Sequence, residues 1–195
     1  MRHLKFLLLI MVTGLAACQS TPPPAPPQRQ LSFGSGAPLV MAAEAVEVIE
    51  QYQSPGTAPN VEQEFDMTPA GAVRQWATTR LRADGTPGII RVTLLDGRVT
   101  RDKLATTSGL KGLIKDEQEY RYNGRIQIRI DYQPATSTQG PAQAHAEATG
   151  TFTVPEGQTL QQLEKQMFDM VQQMILRIDL EIQASALRHM QGVVR

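Results

Sequence analysis

A single cysteine, Cys18, serves a chain of 195 residues. No disulfide can close within the chain, and the cysteine pairs of structural zinc sites are missing. Histidine is nearly as scarce. His3, His145 and His189 are the whole supply, and His145 and His189 lie on different segments without ligand spacing. His145 and Glu147 have the spacing of a zinc-deaminase fragment, but the cysteine motif that this chemistry needs is absent. Nor is there a glycine-rich phosphate loop, a nucleophile elbow or a metalloprotease pattern. Asp102, Asp116, Glu117 and Glu119 fall in polar stretches, where solvated carboxylates are the default. These absences argue against an enzyme, a metal and a cofactor.

An excess of one charge is missing too. Lys and Arg number 19, as do Asp and Glu, so the chain carries no electrostatic footprint of a nucleic-acid binder. Long apolar runs are confined to the start. Leu4 and residues 6–12 follow the positive Arg2 and Lys5, and the run is too short for the ~30 Å hydrocarbon core of a bilayer. That pattern is a secretory signal. Gly14, Ala16 and Ala17 are the small residues expected before a cleavage point, and Cys18 follows them directly.

The order Leu15, Ala16, Ala17, Cys18 resembles the lipobox of bacterial lipoproteins. The resemblance implies that Cys18 is the first mature residue, that its thiol carries a diacylglycerol and that its new amino group is acylated, with chains such as palmitate. It would also remove a liability, since a lone thiol in an oxidising compartment has no partner. More than one acyl chain, at about 0.8 kcal/mol per buried methylene, makes such an anchor stable. Gln19 stands where lipoproteins retained in the inner membrane have Asp, which implies sorting to the outer membrane, on its periplasmic face.

Four segments follow. Residues 1–17 are the signal peptide, and residues 18–38 carry the lipidated cysteine and a tether. Within the tether lie five prolines in the six positions from Pro22 to Pro27, then Gly34, Ser35 and Gly36; an extended chain of this kind reaches ~60 Å at about 3.1 Å per residue. Residues 39–192 form a single domain, and residues 193–195 a short tail.

Periodicity outlines the domain. Residues 39–52 are rich in Val and Ile and read as a strand, although Met41, Ala45, Val48 and Tyr52 also match a helical stripe. Thr68 is a helix cap before Pro69, with Val73, Trp76, Ala77 and Leu81 on one side and Gly85 as the stop. Residues 89–99 alternate as a strand broken at Asp96 and Gly97 by either a bulge or a tight turn. From 120 to 132, Tyr120, Tyr122, Gly124, Ile126, Ile128, Ile130 and Tyr132 share one face. From 142 to 154, Ala142, Ala144, Ala146, Ala148, Gly150, Phe152 and Val154 do the same. Thr159 and Gln162 form a capping box before a long helix with Leu160, Leu163, Met167, Met170, Val171, Met174, Ile178 and Ile182 at helical spacing, ending by Gly192. The expected fold is α+β: a two-layer α/β sandwich in the order β-α-β-β-β-α, with a mostly antiparallel four-stranded sheet, two helices on one face and the other face open.

A lipobox, a proline tether and this domain resemble the small α/β envelope lipoproteins, among them the lipoprotein partner of the lipopolysaccharide translocon and the auxiliary lipoproteins of lipid-transport ABC systems. Residues 43–76 look like a group of envelope lipoproteins of the same layout. The resemblance implies a non-catalytic binding or assembly component anchored in the membrane and working with an envelope protein. A binder of lipid or lipopolysaccharide is the alternative, and an envelope hydrolase comes third. Two sequence features bear on binding. Arg121, Arg125 and Arg129 recur on the wet side of one strand at ~13 Å intervals, joined by Arg91 on its neighbour; they read either as a face for anionic ligands or a partner, or as solvated charges among Glu119, Asp131 and Glu147. Met167, Met170 and Met174 read either as core or as the lining of a lipid groove.

Overall fold

The computed structural model describes residues 29–33, 36–105, 118–136 and 140–195. The stretch 39–52 divides into β1 (Leu39–Met41) and β2 (Ala45–Glu50), because Ala42 and Ala43 turn inward and are buried while Ala42 donates its N–H to Val193. The cap at Thr68 accepts from the Gly71 N–H at 3.0 Å, opening α1 (Pro69–Arg80) with proline where its missing N–H costs nothing. Next come β3 (Leu81–Ala83), β4 (Gly88–Asp96), β5 (Val99–Lys103), β6 (Gln118–Pro134) and β7 (Ala142–Pro155). The chain ends in α2 (Leu160–His189), opened by the capping box of Thr159 and Gln162.

The main sheet has five strands in four columns. β4 and β5 lie end to end along one edge of β6, from Gly88 opposite Pro134 to Asp96 opposite Gln127, then from Val99 opposite Gly124 to Lys103 opposite Tyr120. Asp96 and Gly97 therefore bend one long strand, and the bulge is the reading that holds. β7 runs antiparallel to β6 along the other edge. β2 pairs with β4 in parallel, so the sheet is mixed. The reason is connectivity, since α1 lies between them in sequence and a strand–helix–strand crossover joins parallel neighbours. β1 and β3 form a separate two-stranded parallel sheet.

One core fills the space between the sheet and the two helices. Ile126, Ile128 and Ile130 of β6 and Ala144, Ala146 and Ala148 of β7 face Met167, Met170, Met174 and Ile178 of α2, all buried. The methionine series is core. Small residues on the sheet let the helix approach: a Cβ at Gly150 would lie 2.7 Å from Met170 Cγ. Trp76, fully buried on α1, donates its indole N–H to Asp179 Oδ1 at 2.9 Å. Asp179 also accepts from Arg80 at 2.9 and 3.2 Å and from Gln183 at 2.8 Å, while Arg80 reaches the Gly36 carbonyl.

Both ends of the described chain join this body. Leu31 and Phe33, counted in the tether by composition, are buried in the core, and Ser32 exchanges two hydrogen bonds with the Gln172 side chain, at 2.7 and 2.6 Å. In the stretch read as a tail, Val193 is buried and Arg195 donates its N–H to Val40. No helix among the described residues is long and apolar enough to cross a membrane.

Candidate binding face

The face of the sheet turned away from the helices carries the arginines singled out by sequence. Strand alternation puts Arg91 on β4 and Arg121, Arg125 and Arg129 on β6 on this side, but the structure gives them separate surroundings. Arg91 pairs with Glu47 at 3.4 Å and Arg129 with Asp131 at 2.8 Å. Arg121, opposite Asp102 and Thr153 in the register, forms no ion pair among the described residues. Burial pushes the Asp131 carboxyl up, but hydrogen bonds from Gln143 and Arg129 and the charge of Arg91 outweigh it and hold the group below the ordinary aspartate range. Arg91, Asp131 and Arg129 thus form a charge-paired cluster, in which the buried Arg91 Nε has no hydrogen-bond acceptor.

Arg125 sits elsewhere, in an open groove of about 760 Å³. Its Nη2 lies 2.7 Å from Glu147 Oε2, and its Nε 3.8 Å from Asp96 Oδ2. That Nε is buried and has no hydrogen-bond acceptor. Arg98, just past the bulge, pairs with Asp96 at 3.3 Å. Arg177 of α2 closes the groove from the β7 side, donating to the Thr149 carbonyl at 3.4 Å. Asn123, Thr149, Thr151 and Gln173 supply amides and hydroxyls. The structure thus brings Arg125 together with Arg98 and Arg177, neither of which the sequence reading named. The Asp96-Gly97 break pointed towards Arg98. Nothing local pointed to Arg177, which depends on how α2 lies across β7.

Chemically, three guanidiniums with hydroxyl and amide neighbours can hold a phosphate or carboxylate, Arg98 and Arg125 by exchanging their carboxylate partners and Arg177 by releasing the Thr149 carbonyl. His145 is exposed, opposite Arg129 in the register, and His189 lies in the last turn of α2. Among the described residues no three His, Cys, Asp or Glu side chains are grouped to hold a metal. A second polar cluster is structural: Tyr52 donates to Glu62 at 2.7 Å, and Glu62 also accepts from the Val99 N–H at 3.2 Å. Burial, followed by the hydrogen bond and charge of Glu62, raises the Tyr52 phenol. Burial alone would raise Glu62, but bonds from Ser54, Tyr52 and the backbone lower it. Cys18, the expected lipidation site, lies outside the described residues.

What the fold defines is a class of α+β domain: a mixed sheet with a helical layer on one side and a polar face on the other. No protein-family model and no curated protein matches the chain. Among solved structures the chain is similar to the rare lipoprotein B from Shewanella oneidensis, at 11% identity and a TM-score of 0.38, over 74% of this chain and 94% of that one. It is similar also to a minor lipoprotein from Acinetobacter baumannii, at 12% identity and a TM-score of 0.36, over 76% of this chain and 96% of that one.

Proposed function

We propose that this protein is a lipid-anchored component of the bacterial envelope, held at the periplasmic face of the outer membrane, which works by binding an envelope partner and not by catalysis. The observation that carries the reading is the register of Leu15, Ala16, Ala17 and Cys18 at the end of a short apolar run. The domain suits the role: its conspicuous polar surface is an open groove of paired arginines, a surface for docking. In the test, Cys18→Ser is expressed in a Gram-negative host and membranes are separated from soluble protein. The expected result is an unprocessed chain without acyl label. A variant still cleaved at the same bond and still acylated overturns the reading.

The convergence of Arg98, Arg125 and Arg177 on one groove favours a second reading, in which the groove takes the phosphates of a lipid or lipopolysaccharide. Native mass spectrometry of the chain released from mild detergent should then show bound lipid that Arg125→Glu removes. Wild type without bound lipid eliminates this reading and leaves the first intact.

A further inference from the structure

β7 is fourteen residues long, and among the described residues it pairs with β6 alone. Its other edge is a template for a further strand. The Arg125 N–H points away from β7, to the Arg98 carbonyl, so the Arg125 and Thr149 pair exchanges no hydrogen bonds and Thr149 turns its own backbone groups outward. Glu147, two residues earlier, does the same. The helix touches both residues: Glu181 accepts from the Glu147 N–H at 3.0 Å, and Arg177 donates to the Thr149 carbonyl at 3.4 Å. One negative and one positive side chain therefore hold one donor and one acceptor, on either side of Ala148.

From this we propose that a second copy of this chain pairs antiparallel with β7 about a two-fold axis at Ala148, continuing one sheet through both molecules. Ala148 faces its own copy, and Glu147 faces Thr149, so the N–H of one and the carbonyl of the other meet. Because Arg177 stands beside Thr149 and Glu181 beside Glu147, the axis that exchanges the strand residues also exchanges the helix residues. Arg177 and Glu181, displaced from the backbone they now hold, then pair with Glu181 and Arg177 of the other molecule.

Charge selects this register. An axis at Glu147 would set Glu147 against Glu147 and Glu181 against Glu181, and an axis at Thr149 would set Arg177 against Arg177. The Ala148 register alone of the three alternates the signs. The amino-terminal segment leaves the edge clear. Gln172, which holds Ser32, is nine residues from Glu181, two and a half turns at about 3.6 residues per turn, and so on the opposite flank of the helix.

The test sizes the full chain in mild detergent by native mass spectrometry, with circular dichroism to confirm folding. Wild type should contain two copies. Glu181→Arg places like charges across the axis and should weaken association at least about tenfold. Thr149→Pro, which removes an outward N–H and keeps the bonds to β6, should do the same. Arg177→Glu combined with Glu181→Arg should restore two copies. A monomeric wild type, an association that Glu181→Arg and Thr149→Pro leave unchanged, or a charge swap no better than the single reversal overturns the proposal. None of these outcomes depends on acylation at Cys18, so failure here and failure of the anchoring reading are distinguishable.

Discussion

Gly150 and Gly124 both sit where α2 crosses the sheet, yet they tolerate a side chain differently. A Cβ at Gly150 meets Met170 Cγ at 2.7 Å, a mid-chain carbon, whereas one at Gly124 meets the terminal methyl of Met174 at 2.9 Å. A methyl end can swing aside; a mid-chain carbon moves only with its whole side chain. Gly150→Ala should therefore cost about 1–3 kcal/mol by overpacking, and Gly124→Ala less, as read from urea midpoints. Glu62 makes a prediction about pH. Its folded pKa lies below its unfolded one, so its contribution is present above the ordinary glutamate value of about 4.3 and is lost as pH falls through the folded value. Thermal unfolding followed across about pH 5 to 3 should show a shallower loss of stability for Glu62→Gln than for wild type.

At the scale of elements, the link between the helices is the buried pair of Arg80 and Asp179. Removing the carboxylate leaves the Trp76 indole N–H without an acceptor and the buried guanidinium with only the Gly36 carbonyl and no counter-charge, and Asp179→Ala should cost about 3–5 kcal/mol in chemical unfolding. This pair shows where sequence reading stops. The outlines of β6, β7, α1 and α2 were legible because strict alternation, helical spacing and two caps act locally. Asp179 is polar within an apolar stripe, and its partners on α1 lie about a hundred residues away in sequence, so no local pattern marks it. Leu31 and Phe33 were illegible for a related reason: two apolar residues beside glycine and serine have no period, and their burial is decided by the surface of α2. The parallel pairing of β2 with β4 follows from the α1 crossover; the β-α-β order was legible, but nothing local shows that those two strands are neighbours in the sheet. Of the candidate site, strand alternation puts four arginines on one side of the sheet. It could not separate the Arg91, Asp131, Arg129 cluster from the Arg125 groove, because that depends on cross-strand neighbours.

For the whole molecule, composition and architecture agree. Basic and acidic residues are equal in number, and on the open face Arg91, Arg125 and Arg129 each sit beside a carboxylate, which moderates the field there and suits a partner recognised by shape and exchanged contacts. The body itself carries no membrane-crossing helix among its described residues, and membrane attachment in this account comes from the amino-terminal cysteine. The most direct test is mass spectrometry of the amino-terminal peptide of the chain purified from cells. The account predicts a peptide that begins at Cys18 and bears a thioether-linked diacylglycerol with an acylated amino group. A peptide that runs through Ala17 into Cys18, or one that begins at Cys18 with a free thiol, would contradict it.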